Sequence, residues 1–320
     1  MQLQFTTLDV FTRKRLEGNP LAVVQVPRSL QNHLSQAQKQ KITLEFNLSE
    51  TVFMHQPADE APQEVVIDIF TLEQELPFAG HPTIGSAVLA KSRLYPSIDR
   101  FITKAGPIGL HAGSGDFIRA KIPHNVHIHA KTLGQVIPAE QHNSYVGLSH
   151  FNSTIREAEL QAPVVNIVKG MTFILVKLPS LEHLRQVQLL RLDLKGLPTP
   201  LLDPEWSPSF TSRYYYVENG EVNDKGDQVR SIRTRMVELG FEDPATGSAA
   251  STLAAYLTIA EKTKDAKFLI IQGVEMGRRS DIHVQTTADL DESGKVKIND
   301  VWLGGEAVVV QQGTIEIDDE

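Results

Sequence analysis

The sequence contains no cysteine. A chain without cysteine forms no disulfide and has no thiolate nucleophile, and it offers neither a cysteine-type zinc site nor ligands for an iron–sulfur cluster. Any catalysis must therefore use carboxylates, histidines, hydroxyls or backbone groups. The lack of cysteine also agrees with a reducing compartment, and we expect the protein to be cytoplasmic.

Long apolar runs are also missing. No stretch approaches the roughly 20 apolar residues of a membrane-spanning helix, and the first residues lack the apolar core of a secretory signal. The formal net charge is −8, so the overall composition does not attract the phosphates of nucleic acid or an anionic membrane. We expect neither as a partner. An anionic substrate would have to be bound locally.

Motifs for nucleotide binding and for serine hydrolases are absent as well. The chain has no GxGxxG, no GxxxxGK[ST] and no GxSxG elbow, and we expect no cofactor. His124, His127 and His129 form an HxxHxH run that could chelate a metal. In an extended segment, however, His127 and His129 share one face while His124 points to the other. We interpret the run as a solvated polar strand and expect no metal site.

Two segments of similar pattern stand out at residues 75–90 (ELPFAGHPTIGSAVLA) and 241–257 (FEDPATGSAASTLAAYL). Each passes from an acidic residue and a proline through a glycine turn into a helix of small apolar residues, which predicts a helix buried on all sides. Helix N-termini carry unpaired N–H groups and partial positive charge. Two of them facing one cleft would bind a small carboxylate.

The order of the predicted elements indicates an α+β protein. Runs of β-branched residues make most of the first half sheet, and a polar stretch without periodicity begins near Pro123. With 320 residues, two domains are expected. We assign residues 1–125 to an N-terminal domain and 126–307 to a C-terminal domain, with the option that a final strand at 308–320 returns to the first.

Two further helices are predicted outside these segments. Ser29 is expected to cap a helix whose buried face includes Leu30, Leu34 and Leu44. Residues 180–194 (SLEHLRQVQLLRLDL) are expected to form one helix. The stretch from Pro123 to about residue 164 is polar and shows no periodicity, and no helix is assigned to it.

Several motifs in order along the chain carry a family resemblance. They are VFTRKRLEGNPLAVV, NLSETVF, FTLEQELPFAGHPTIGSA, FEDPATGSA, IIQGVEMGRRSDIHV and GGEAVVVQQG. Together they resemble the PhzF (phenazine-biosynthesis-like) proteins over nearly the whole chain. The resemblance implies a diaminopimelate-epimerase-like fold of two pseudo-symmetric domains, each a mixed barrel-like sheet around a central helix, with the site between them. It also favours a homodimer.

The resemblance further implies a cofactor-independent isomerase that acts on a small carboxylic acid. Glu50, in the NLSET motif, takes the position of the general acid/base, with His81 and Asp243 as the other catalytic residues. The positions that bind substrate are Gly80, Gly247 and Ser248. Racemases of the superfamily carry a cysteine at each helix start, where this chain has Ala79 and Thr246, so two-thiol chemistry is impossible.

Each of these residues also has a purely structural interpretation. Glu50 could be a surface carboxylate at a strand start, and Asp243 a helix cap beside a solvent-facing Glu242. His81 could hold its turn by hydrogen bonds, Ser248 is a common helix-start hydroxyl, and glycines in tight turns need no ligand. Two other functions stay open: an epimerase that uses Glu50 and Asp243 as opposed bases, and a binding or scaffold protein without turnover.

The sequence departs from the family pattern at three places. Leu72 stands where a proline is usual, Arg279 interrupts the usual GRPS, and the segment before Glu242 is short. These differences affect loops that face the substrate more than the acid/base residues. They leave the identity of the substrate open.

Overall fold

The computed structural model of the chain describes residues 1–224, 226–238, 240–292 and 294–318. β-strands are the main secondary structure of these residues, with few helices among them. The chain divides into two compact units. One comprises Met1–Pro123 and the chain from Trp302 onward, and the other comprises His124–Val301. No helix within the described ranges has the length and apolar character to cross a membrane.

The first unit is a mixed sheet arranged around strand β1 (Gln2–Val10). Strand β2 (Asn19–Val26) and the last strand, β18 (Ala307–Glu316), pair with β1 on its two sides, both antiparallel. Strand β3 (Glu50–His55) then pairs with β2 in parallel. The sheet continues through β4 (Glu64–Thr71), β5 (Glu75–Leu76), β6 (Arg100–Thr103), β7 (Gly106–Ala112) and β8 (Ile118–Lys121).

Helix α2 (Gly80–Leu89) is the central helix of this unit. All of its residues are buried, and it contacts β1, β2, β3, β8 and β18. Small side chains permit this close packing: a Cβ atom at Gly85 would lie 2.6 Å from a methyl group of Val10 and 2.7 Å from one of Leu21. A π-helical turn (Ala90–Leu94) follows. The buried helix matches the sequence pattern that predicts it.

The second unit repeats this arrangement around helix α6 (Gly247–Ala260). Its strands are β9 (His127–Ile128), β10 (Val164–Val168), β11 (Met171–Lys177), β12 (Phe210–Asp224), β13 (Asp227–Glu238), β14 (Phe241–Asp243), β15 (Asp265–Gln272) and β16 (Ser280–Leu290). Helix α6 contacts β10, β11, β15 and β16. Strand β17 (Val296–Gly305) begins in this unit, and its last residues pair with β8.

The helix predicted from Ser29 is wrong in its start and in its buried face. A short 3-10 turn occupies Arg28–Leu30, and helix α1 begins later and spans Gln36–Phe46. Ser35 caps it, since Ser35 and Gln38 exchange hydrogen bonds in a capping box. This register leaves Leu44 52% exposed.

The helix predicted at residues 180–194 is too long, because helix α5 covers only Leu181–Arg185. The guanidinium of Arg235 donates to the carbonyls of Leu184 and Val187, both at 2.9 Å. These carbonyls are therefore satisfied by a side chain from β13, and the chain need not continue as a helix.

The polar stretch after Pro123 contains helices that were not predicted from the sequence. They are α3 (Leu133–Val136) and α4 (Ser153–Gln161), with 3-10 turns at Ala139–Gln141 and, further along, Pro204–Trp206. Asn152 caps α4, which buries Ile155, Glu159 and Leu160. Only two large apolar residues, Ile155 and Leu160, mark the buried face of α4, and the buried Glu159 on that face hides the periodicity.

Candidate active site

Glu50 is the first residue of β3, shortly after helix α1 ends at Asn47 in a left-handed conformation with φ of +50°. Its side chain is 17% exposed, and its Oε2 atom is buried without a hydrogen-bond partner. Burial raises the pKa of the Glu50 carboxyl, and a hydrogen bond with Ser49 opposes that rise only in part. Glu50 therefore holds a proton at higher pH than an exposed glutamate does.

His81 lies beside this carboxyl, in the first turn of α2. The ring is 5% exposed, and its Nε2 atom is 3.7 Å from Oε2 of Glu50. This separation is longer than a hydrogen bond, yet short enough for a small movement or a bound ligand to connect the two groups. The structure thus brings together two of the three predicted catalytic residues in the first unit.

Asn19 is a polar neighbour of His81 that was not singled out from the sequence. It is 1% exposed, and its Nδ2 atom lies 3.4 Å from Nδ1 of His81. An amide nitrogen only donates hydrogen bonds, so Nδ1 accepts and the ring proton lies on Nε2, on the side of Glu50. In the sequence, Asn19 stands between Gly18 and Pro20, a combination typical of turns, and nothing local marks it as a buried residue.

The start of α2 has the features of an anion-binding helix terminus. Ala79, in an extended conformation, precedes Gly80 and has no side chain that caps the helix. No acidic residue lies in the first turn. The positive end of the helix dipole is therefore not neutralised by a carboxylate of its own first turn.

In the second unit, Asp243 is the last residue of β14 and lies just ahead of helix α6. The hydroxyl of Thr246 donates to Oδ2 of Asp243 at 2.5 Å. Thr246, not Asp243, occupies the N-cap of α6, and its side chain makes no capping hydrogen bond. Gly247 begins the helix and is buried, while Ser248 is half-buried.

Glu242 was expected to face solvent, and this expectation is wrong. Its side chain is only 6% exposed. Both of its oxygens accept hydrogen bonds from Arg235, at 2.9 and 2.7 Å. This buried bidentate pair fixes β14 against β13 directly before Asp243.

The histidine run is not a solvated strand, so that interpretation is wrong. His129 is buried, with Nε2 2.6 Å from Oδ1 of Asn166 and Nδ1 accepting from the backbone N–H of Asp203 at 3.0 Å. Burial lowers the pKa of His129 and keeps it neutral. His127 stacks on Trp206 and contacts Asp203.

These contacts decide how well the run suits a metal. Ligand atoms of His127, His129 and Asp203 lie within 4.8 Å of one another. The Nδ1 lone pair of His129, however, already accepts the Asp203 N–H, and one lone pair cannot also bind an ion. The hydrogen bonds of this cluster therefore connect the β9 region to the segment before Trp206.

The family model of phenazine biosynthesis-like proteins matches residues 8–313 of this chain. The chain belongs to this family. An uncharacterised isomerase of Mesorhizobium japonicum is 33% identical over 325 aligned residues, which cover 97% of each chain. The trans-2,3-dihydro-3-hydroxyanthranilate isomerase of Pseudomonas chlororaphis is 27% identical over 318 residues, covering 97% of this chain and 98% of the relative.

Solved structures of the family share the fold. A PhzF-family phenazine biosynthesis protein from Bacillus anthracis superposes with a TM-score of 0.70 at 21% identity, covering 99% of this chain and 100% of that one. At this identity the likeness shows the fold alone. It confirms the predicted α+β, epimerase-like fold. Both relatives described above are named isomerases and match over almost their whole length, so this member of the family is an enzyme of the isomerase class.

Proposed function

We propose that this isomerase moves a proton between carbons of a small carboxylic acid by general acid/base catalysis, without a cofactor, and that Glu50 carries the proton. The observation that supports this best is the buried, unpaired Oε2 atom of Glu50 beside His81. A carboxylate with this environment is rare in a surface role, because burying its charge costs free energy.

The raised pKa of Glu50 suits a group that must both take and return a proton. An ordinary glutamate is too weak a base near neutral pH to hold a proton taken from carbon. Burial raises the pKa of the carboxyl toward the pH at which the enzyme works, where both protonation states are accessible. The same carboxyl can then protonate a second carbon of the substrate.

His81 has a supporting role in this proposal. With its proton on Nε2, the ring faces Glu50 as a donor. It can donate a hydrogen bond to the Glu50 carboxylate or to substrate oxygen that gains negative charge as the proton leaves carbon. Asn19 keeps the ring in that tautomer.

Gly80 at the start of α2, and Gly247 and Ser248 at the start of α6, are proposed as positions that bind substrate. Backbone N–H groups and the helix dipole stabilise an anion there. Local capture is required, since the chain carries a net charge of −8 and repels anions at long range. Asp243 is proposed as the further acid/base group in the second unit.

The proposed substrate class is a small amino or cyclic carboxylic acid. The relative from Pseudomonas chlororaphis is named for an anthranilate derivative, which is a compound of this class. Leu72 and Arg279 depart from the family pattern, so a different member of the class is expected to be the substrate here.

Solvent deuterium incorporation tests the proposal. The protein is incubated in D2O with a panel of small amino and cyclic carboxylic acids, and NMR detects deuterium on carbon. Glu50→Gln keeps the size of the side chain but removes the titratable proton, so exchange should fall about 100-fold or more. Glu45→Gln, at an exposed position of α1, is the matched control and should exchange like wild type. Wild-type exchange in the Glu50→Gln protein would overturn the assignment.

The same experiment separates the alternatives. Asp243, an ionisable side chain ahead of the second buried helix, favours epimerisation as the second candidate, with Glu50 and Asp243 as the two bases. With an epimerase, the optical rotation of the substrate would be lost as deuterium enters it. With an isomerase, a product with a different position of its hydrogen or double bond would form. A binding protein without turnover would incorporate no deuterium into any acid that it binds.

A further inference from the structure

Gln272, the last residue of β15, is fully buried behind the start of α6. A carboxamide has two donor hydrogens and two acceptor lone pairs. Its Nε2 atom donates to the backbone carbonyl of Asp243 at 2.8 Å and to Oγ1 of Thr246 at 3.0 Å. Its Oε1 atom accepts from the backbone N–H of Thr246 at 3.2 Å and from the hydroxyl of Tyr214 at 2.9 Å. All four hydrogen-bonding positions are used.

Two backbone groups fix the direction of this network. The carbonyl of Asp243 only accepts and the N–H of Thr246 only donates, so the nitrogen and oxygen of the Gln272 amide cannot exchange places. Oγ1 of Thr246 therefore receives a hydrogen from Gln272. The hydroxyl's own hydrogen is left to point at Oδ2 of Asp243, 2.5 Å away.

Tyr214 supports the oxygen side of the amide. Burial raises the pKa of Tyr214 far above that of an ordinary phenol, so its hydroxyl keeps its hydrogen. That hydroxyl also lies 3.0 Å from Oγ1 of Thr234, so Gln272 shares it. Of the four hydrogen bonds of Gln272, the one from the Tyr214 hydroxyl should therefore be the one whose loss changes the Thr246–Asp243 hydrogen bond least.

The backbone of Gly273, next to Gln272, passes close to the same turn. Gly273 has φ of +74°, and a Cβ atom there would lie 2.6 Å from the carbonyl oxygen of Pro244. Only glycine permits the chain to approach the Asp243–Thr246 turn this closely. In the Gln-Gly pair of the IIQG motif, Gln272 thus holds the turn by hydrogen bonds, and Gly273 leaves room for the close approach.

We propose that Gln272 is a positioning residue that directs the Thr246 hydroxyl to Asp243, and so keeps the Asp243 carboxylate hydrogen-bonded and in one orientation at the head of α6. The catalytic meaning of this arrangement rests on the proposed function, in which Asp243 is an acid/base group. The hydrogen-bond direction itself does not, and it is measurable without any substrate.

The first test is a double-mutant cycle between positions 272 and 246, read by carbon NMR of the Asp243 carboxyl, which is assigned by its loss in Asp243→Asn. Gln272→Glu presents an acceptor to the Thr246 hydroxyl and draws it away from Asp243. It also adds charge. In the Thr246→Val background only the charge effect remains, because there is no hydroxyl to turn. Gln272→Glu should therefore raise the titration midpoint of Asp243 by about one pH unit more when the threonine is present than in that background.

Additive effects in this cycle would overturn the proposal. Thr246→Ser, which keeps the hydroxyl, should titrate like wild type, and Tyr214→Phe should shift the midpoint little. If Gln272→Glu does not fold, Gln272→Met supplies the second test. Three-bond couplings should show the Thr246 side chain in one rotamer in wild type and averaging among rotamers in Gln272→Met. A single retained rotamer would count against the proposal.

Activity separates this inference from the proposed function. Where wild type exchanges deuterium into an acid, Gln272→Met should lower kcat about 10-fold and change KM less, because the binding groups remain. If the double-mutant cycle is non-additive but wild type incorporates deuterium into no acid, the proposed function is overturned and the positioning role of Gln272 stands. If wild type exchanges deuterium but the double-mutant cycle is additive, the positioning role of Gln272 is overturned and the proposed function stands.

Discussion

Glu50 stands in surroundings that disfavour its charged form. Burial raises the pKa of its carboxyl in the folded protein above the value in the unfolded chain. A raised folded pKa means that the folded state binds the proton more tightly. This stabilising contribution is fully present below the unfolded pKa, and it is lost as the pH rises through the folded pKa. The buried carboxyl that the proposed chemistry requires therefore lowers the stability of the folded protein at neutral pH.

Replacing Glu50 should reverse that loss. The Glu50→Gln side chain never ionises, so the free energy of unfolding of this variant, relative to that of wild type, should rise as the pH is raised from 4 to 8. Urea unfolding at a series of pH values measures this. Glu45→Gln, at an exposed position, should show a difference that is nearly constant with pH. A flat curve for Glu50→Gln as well would mean that the buried carboxyl is not desolvated.

Single residues also show what the sequence could and could not predict about the site. Glu50 and His81 were identified through motifs, and the structure places them 3.7 Å apart. Asn19 and Gln272 were not identified, because their importance comes from contacts 62 and 29 residues away along the chain. A buried amide has no local sequence signature. Glu242 was misjudged for the same reason, since its partner Arg235 lies on another strand.

Among the elements, α2 shows how a helix can be enclosed by strands. Gly85 lets β1 and β2 approach, and Gly85→Ala would place its Cβ within 3 Å of two methyl groups. Alanine favours the helix by about 1 kcal/mol, but overpacking a full core costs about 1–3 kcal/mol. We expect a net loss of about 1 kcal/mol in the free energy of unfolding. Denaturant titration at neutral pH measures it.

Ser86→Ala is the matched control in the same helix. Ser86 is fully buried, and its hydroxyl has no hydrogen-bond partner. Removing an unpaired buried hydroxyl relieves a desolvation cost and also favours the helix. This variant should be as stable as wild type or slightly more so. If Gly85→Ala were equally well tolerated, the packing of α2 on β1 and β2 would be looser than described.

Element prediction succeeded where the pattern was local and failed where a distant contact decided the outcome. The two buried helices and the β-branched strands follow from composition and periodicity, since nothing competes with them. Helix α5 ends where Arg235 takes its carbonyls. Helix α1 starts at a capping box that one extra serine upstream, Ser29, obscured.

At the scale of the whole molecule, strands β1 and β18, which are far apart in sequence, lie side by side within the first unit. Strand β18 pairs with β1 from Gln2 opposite Glu316 to Val10 opposite Ala307. Beyond it, the backbone N–H of Ile317 donates to the carbonyl of Met1 at 2.8 Å. The first unit is therefore closed by residues from the far end of the sequence.

Truncation should reveal this dependence. A chain ending at Gly305 lacks β18 and leaves β1 unpaired on one side, so we expect aggregation or loss of cooperative unfolding. A circular permutant is the matched control: a short glycine linker joins the ends, and new ends open in the exposed turn at Gly113–Gly115. It keeps β18 and should unfold cooperatively. Calorimetry and light scattering compare the two. A well-folded truncation would show that β18 is dispensable.

The order of the two units along the chain also determines when each can fold during translation. Residues 124–301 form the second unit without a break, so they can complete their contacts while the last strand of the first unit is still unsynthesised. During that interval one edge of β1 is unpaired and can contact a neighbouring nascent chain, because its partner β18 is synthesised after the whole second unit. In the cell, the first unit to be translated is thus the last to be finished.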